Sequence, residues 1–145
     1  MKSPGAILAL DIGARRIGFA ISDVRQIVAS PLENYERQGF EKDADYIAQV
    51  CRDREIVRVV VGMPVHLSGA HTRSTRMAQK FIVALQTKVE IPICDHDERF
   101  STLIAERVLI EADLSRAKRK NVIDKMAAVV VLQSYLDTAN SGADT

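Results

Sequence analysis

Three carboxylates stand where the surrounding sequence makes them hard to explain as ordinary surface acids. Asp11 ends the apolar run Ile7-Leu8-Ala9-Leu10. Glu98 closely follows the short stretch Ile91-Pro92-Ile93-Cys94. Asp124 lies in a segment that is apolar nearly all round: Val122, Ile123, Met126, Val129, Val130, Val131 and Leu132. An ionised carboxylate in an apolar setting is costly unless it is paired, hydrogen-bonded or bound to a metal. Singly, each acid has a structural account. Asp11 can start a turn, and Glu98 can be a solvated partner of Arg99. Asp124 can sit at the third position of a helix capped by Asn121, where negative charge suits the helix dipole. Together, two acids at strand ends and one on a buried helix stripe can converge on one point. Hard oxygen ligands of this kind suit Mg²⁺ or Mn²⁺, and two such ions ~4 Å apart suit phosphodiester hydrolysis.

The elements that must position these acids follow from periodicity. Ile7 to Leu10 and Ile17 to Ser22 read as two strands of a hairpin. Gly13 lies in the turn between them, where an unusual backbone angle would call for glycine. Alternation puts Ile17, Phe19 and Ile21 on one face of the second strand and Gly18, Ala20 and Ser22 on the other. Gln26 to Pro31 has the apolar content of a third strand, and Leu32 to Gly39 reads as a polar connection. Phe40 to Arg54 is an amphipathic helix on Ala44, Ile47, Ala48 and Cys51. Val57 to Val61 reads as a buried parallel strand. Thr72 to Lys88 is helical with Met77, Phe81, Ala84 and Leu85 inward, and Ile91 to Cys94 is the last strand. Ser101 or Thr102 caps a helix to about Glu111. Asp113 to Lys120 reads as a basic loop, and Asn121 starts a final helix reaching about Thr138. That helix stacks Asp124 over Ala128, Val131 and Tyr135. The small face of the second strand is expected to meet Ala127 and Ala128, which would bring Asp124 toward Asp11.

The layout is α/β: a five-stranded mixed sheet, antiparallel over strands one to three and parallel in the later ones, with helices on both faces. With 145 residues the chain reads as one domain over 1–138 and a frayed tail over 139–145. Apolar content of 47% is enough for a core, and a formal charge of +1 leaves the nucleic-acid question to where the charge sits. Cys51 and Cys94 share no motif spacing and read as free thiols of a reducing compartment. No apolar run approaches the ~20 residues that span a bilayer. The expectation is a soluble, cytoplasmic protein with no membrane partner.

Four motifs, in order, resemble the YqgF family, bacterial proteins described as pre-rRNA nucleases and as Holliday-junction-resolvase-like. They are Asp11-Ile-Gly13 with Arg16-Ile-Gly18; Val61-Gly62-Met63-Pro64; Asp97-Glu98-Arg99-Phe100-Ser101-Thr102; and Ile123-Asp124-Lys125-Met126-Ala127-Ala128 with Leu132-Gln133. The resemblance covers nearly the whole chain. It implies a ribonuclease-H-like fold, metal-dependent phosphodiester hydrolysis, and a role in maturing the 5′ end of small-subunit rRNA. Carried over by motif, Asp11, Glu98 and Asp124 would be the catalytic metal ligands, for two Mg²⁺ or Mn²⁺ ions. Resolvases of the RuvC type carry a further acid one helical turn beyond the last aspartate, where this chain has Ala127. His66 stands where an amide side chain is expected in many relatives.

A nuclease must also hold a polyanion. Arg15 and Arg16 follow Asp11, Arg99 follows Glu98, and Arg116, Lys118, Arg119 and Lys120 precede Asp124. These residues are the expected phosphate contacts, with charge runs on a solvated surface as the plain alternative. His66, His71 and His96 lack zinc-like cysteine companions and read as surface or loop histidines. The implied partners are structured precursor rRNA, with ribosomal particles, or branched DNA. The rivals are a junction resolvase, which needs a dimer for two symmetric cuts, and a nucleic-acid-binding protein without turnover. A third, an actin-like ATPase, also carries Asp-x-Gly but needs two lobes, and this length holds one.

Overall fold

The computed structural model describes residues 4–63, 73–97 and 116–140, with backbone alone at 73–74 and 116–125. Five strands form one sheet: β1 (Ala6–Ile12), β2 (Arg16–Ser22), β3 (Ala29–Glu36), β4 (Ile56–Met63) and β5 (Ile93–Asp97). The helices are α1 (Phe40–Asp53), α2 (Arg73–Gln86) and α3 (Arg116–Asn140). The strand order is β3-β2-β1-β4-β5. β2 pairs antiparallel with both β1 and β3, while β4 pairs parallel with β1 and β5. The mixed sheet expected from the sequence is therefore the one observed.

The sheet is a middle layer with a core on each side. On one face Leu8, Leu10, Ile17, Phe19, Val59 and Val61 pack against Ala44, Ile47 and Cys51 of α1 and Ala78, Phe81 and Leu85 of α2. On the other, Ile7, Ala9, Ala20 and Val60 meet Ala128, Val131, Leu132 and Leu136 of α3. Val59, Val60 and Val61 are all fully buried, as a central parallel strand requires. Among the described residues no helix is long and apolar enough to cross a membrane.

Three expectations are corrected. The third strand is Ala29–Glu36, not Gln26 to Pro31. The carboxylate of Asp23 accepts the N–H groups of Ile27 and Val28 at 2.8 and 2.9 Å, and Gln26 is left-handed at φ 61°, so this segment turns. The polar stretch after Pro31 suits an edge strand, where one face is solvated and charges block further pairing. The last strand is Ile93–Asp97, so Asp95, His96 and Asp97 lie inside it. α3 is already helical at Arg116. Asn121 is thus interior to the helix and not its cap, and Arg116, Lys118, Arg119 and Lys120 are helical, not a loop. No glycine or proline interrupts 116–140, and Arg, Ala and Lys are good helix formers.

The small face of β2 does meet α3. A Cβ built on Gly18 would lie 3.5 Å from the Cβ of Ala128, which is only 3% exposed. Ala128→Leu should therefore overpack this contact and lower stability by about 1–3 kcal/mol. Denaturant unfolding checks it, and an unchanged midpoint would show that α3 is not held tightly there.

Candidate active site

Asp11 lies near the C-terminal end of β1, half-buried, opposite Gly18 of β2. Its side chain shares the α3 face with Ile7 and Ala9. No described residue hydrogen-bonds or ion-pairs with its carboxylate. Its position leaves it open to a ligand.

The direction of α3 places Asp124. Ala128 sits beside Gly18 at the Asp11 end of the sheet. Further along, Gln133 accepts the N–H of Ala29 at 2.9 Å and donates to the carbonyl of Ile27 at 3.0 Å. Asn140 donates to the carbonyl of Gln26 at 2.9 Å, and Gln26 in turn donates to Gly5, just before β1. α3 therefore runs antiparallel to β1. Asp124 is one turn before Ala128, roughly 6 Å further along the axis, toward the end that carries Asp11. The stripe through Ala128, Val131 and Tyr135 is buried or half-buried, as its period requires.

The turn after Asp11 is fixed by Gly13 together with groups that the sequence did not single out. A Cβ on Gly13 would meet the carbonyl oxygen of Arg16 at 2.9 Å, so glycine is needed there for space. Gly13 is not among the residues of positive φ, which corrects the expected reason. The N–H of Gly13 donates to that same carbonyl at 2.9 Å. Arg37 donates from Nη1 to the carbonyl of Gly13 at 3.2 Å, and its N–H donates to Arg15 at 3.0 Å. Its Nε donates to Asp43 of α1 at 2.9 Å. Asp43 is fully buried and also accepts from the Tyr35 hydroxyl at 3.0 Å and the Gln38 N–H at 2.8 Å. Burial pushes the carboxyl upward, but the bonds from Gln38, Arg37 and Tyr35 outweigh it and hold its pKa below the ordinary value. A chain of contacts thus runs from α1 to the turn that carries Arg15 and Arg16, both exposed. Asp43 gave no sequence signal beyond being an acid in the first turn of a helix.

On β5, His96 is half-buried, which corrects the expectation of a surface or loop histidine. Its Nε2 lies 2.9 Å from the hydroxyl of Ser134 on α3, and its ring meets Tyr135 edge-on. Burial lowers its pKa, with Asp97 and Asp95 opposing. Register places Val60 beside Cys94 and Gly62 beside His96, so His96 shares the α3 face. The strand end before Glu98 is thereby tied to α3.

Of the expected site residues, Asp11 and the backbone of Asp124 come to one end of the sheet. Glu98, Arg99, His66 and His71 lie outside the described residues, as does the helix expected after Ser101. The i, i+4 row of α3 links Arg116, Lys120, Asp124 and Ala128, whereas Lys118 falls on another row. Among the described residues no three acids, histidines or cysteines form a metal cluster. The donor chemistry nonetheless fits a hard divalent ion: a carboxylate at a strand end that no described residue partners, with the helical turn of a second one nearby.

A family model described as RuvX, Holliday junction resolvase, matches residues 5–138. The chain belongs to the RuvX family. This agrees with the resemblance to YqgF proteins carried by its four motifs. A relative from Syntrophomonas wolfei is 42% identical over 138 residues, covering 95% of this chain and 98% of its own. One from Desulforamulus reducens is 44% identical over 132 residues, covering 91% and 96%. Both carry the name "Putative pre-16S rRNA nuclease". Among solved structures, RuvC of T. thermophilus in complex with a Holliday junction substrate superposes with a TM-score of 0.64 at 12% identity, over 95% of this chain and 96% of that one. That likeness is one of fold, and it agrees with the ribonuclease-H-like fold that the resemblance implies.

Proposed function

We propose that this RuvX protein is a metal-dependent nuclease that hydrolyses phosphodiester bonds in the 5′ region of precursor 16S rRNA, with Asp11, Glu98 and Asp124 as its metal ligands. The class of reaction is nuclease hydrolysis. The observation that supports this site is the seating of Ala128 against Gly18, opposite Asp11, with Asp124 one helical turn before Ala128. RNA is preferred over branched DNA because the relatives named for rRNA share 42–44% of residues over nine-tenths of the chain, against 12% for the junction-bound resolvase.

A bound pair of Mg²⁺ or Mn²⁺ ions would supply a water of lowered pKa and positive charge at the leaving oxygen. The chain's own part is to hold and aim. Asp11 offers a carboxylate that no described residue competes for. The Arg37–Asp43 pair fixes the turn behind it. Arg15 and Arg16 project from that turn as exposed phosphate contacts. Arg99 adjoins Glu98, and the helical run Arg116, Lys118, Arg119 and Lys120 leads into Asp124. The enzyme would work in the cytoplasm, on free precursor rRNA or on ribosomal particles.

Arg116 and Lys120 share the Asp124 row. Removing both charges should weaken RNA binding and reduce the slope of log affinity against log salt by about 1.4, from ~0.7 per phosphate on single strands. An unchanged slope in the double variant would remove this row from the RNA contact. The reading as a whole is tested by offering labelled precursor-rRNA 5′ fragments and a four-way DNA junction side by side, with Mg²⁺ or Mn²⁺. Preferential cutting of RNA supports it. Paired symmetric cuts in the junction by a dimer would replace it with the resolvase.

A further inference from the structure

We propose that Gly18 is glycine for the sake of the site and not of the fold: its missing side chain leaves a methyl-sized space beside Asp11, next to where metal and scissile phosphate would bind. The inference rests on the nuclease reading and adds a positioning residue to it.

Glycine in the middle of a strand is unfavourable, and it commonly marks a bulge, an unusual backbone angle, or close approach of a ligand. The first two are absent here. Gly18 pairs in regular register with Asp11 on one side and Asn34 on the other. The register shift in β2 falls later, between Phe19 and Ala20, and Gly18 has no positive φ. Nor does the protein exclude a side chain. An added Cβ would meet Ala128 at 3.5 Å and Asp11 at 3.7 Å, both ordinary contact distances. Gly13, by contrast, would clash at 2.9 Å. Two residues along the same face, Ala20 carries a Cβ under α3 while fully buried. The fold would therefore accept alanine at 18.

What an alanine methyl would occupy is the gap between the Asp11 and Ala128 side chains. The Asp124 turn precedes Ala128 by one helical turn, roughly 6 Å along the axis beyond this gap. Gly18 itself is partly exposed, although Ile17 and Phe19 beside it are buried. A small misplacement of a reacting group is enough to cost ~100-fold in rate.

The test is Gly18→Ala, with Gly18→Ser beside it, read in three ways. The melting temperature should be unchanged or raised. Binding of Mn²⁺ alone, measured without RNA by calorimetry or electron paramagnetic resonance, should weaken at least about tenfold. Cleavage of labelled RNA at saturating Mn²⁺ should fall at least about 100-fold. A markedly lower melting temperature would make the glycine structural and overturn the inference. So would wild-type Mn²⁺ affinity and cleavage in the variant. If the wild type itself neither binds Mn²⁺ nor cuts, the nuclease reading fails and this inference with it. If the wild type does both and the alanine variant matches it, only the inference fails.

Discussion

Asp11→Asn is expected to lose RNA cleavage by well over 100-fold while folding as the wild type does. Groups that merely orient a metal ligand are worth ~10–100-fold, and the ligand itself is worth more. The asparagine keeps the shape of the side chain but gives up its charge. Nothing in the described structure depends on that charge, because no described residue bonds to the carboxylate. Its stability should therefore stay within about 0.5 kcal/mol of the wild type, as for substitutions that break no built interaction. RNA binding without metal should survive, since the phosphate contacts lie elsewhere. Retained cleavage would move the chemistry away from the end of β1. A large loss of stability would show instead that Asp11 has a structural partner.

The largest effect on stability is expected at Asp43. Asp43→Ala removes a fully buried carboxylate and leaves the Arg37 guanidinium, the Tyr35 hydroxyl and the Gln38 N–H without their acceptor. Breaking one side of a buried pair costs about 3–5 kcal/mol. That is a large share of the 5–15 kcal/mol typical of a whole domain. The pH dependence follows from the direction of the shift. The folded pKa of Asp43 lies below its ordinary value, so on acidification the unfolded state takes up the proton first. The stabilisation is fully present above the unfolded carboxyl pKa of about 4 and is lost as pH falls through the folded value. The gap between wild type and Asp43→Ala should be constant from pH 5 to 7 and shrink below about pH 4. Denaturant midpoints at each pH check this. A gap that does not narrow in acid would mean that the carboxylate is not what the site stabilises. Because Arg37 also holds the Gly13 and Arg15 carbonyls, the variant should lose some cleavage as well.

What the sequence made legible was whatever repeats with a period. β1, β2, α1, β4 and α2 lie close to their expected bounds, because each buries one face or both and so carries alternation or a 3.6-residue stripe. The contact of the small β2 face with Ala128 was legible for the same reason: three small residues alternating along a strand need something close above them. The failures were polar. Edge strand β3 holds Glu33, Asn34 and Glu36, and it is a strand only because β2 lends its hydrogen bonds. The charge of Asp95 and Asp97 argues against a strand, although pairing with Val61 and Met63 keeps them in β5. The basic run 116–120 looked like a loop because no apolar stripe crosses it. At the site, position and residue type suggest Asp11, Glu98 and Asp124, of which Asp11 and the backbone of Asp124 fall within the described residues. The Arg37–Asp43–Tyr35 network and the His96–Ser134 bond join residues far apart in the chain, where no spacing rule applies.

The most direct test of the central claim is cleavage of an end-labelled RNA spanning the 5′ boundary of precursor 16S rRNA. Wild type and Asp11→Asn would be compared with Mg²⁺, with Mn²⁺ and with chelator. The account predicts cutting by the wild type that needs the ion and that the substitution removes. Cutting that persists in chelator, or in the Asp11→Asn protein, would contradict it.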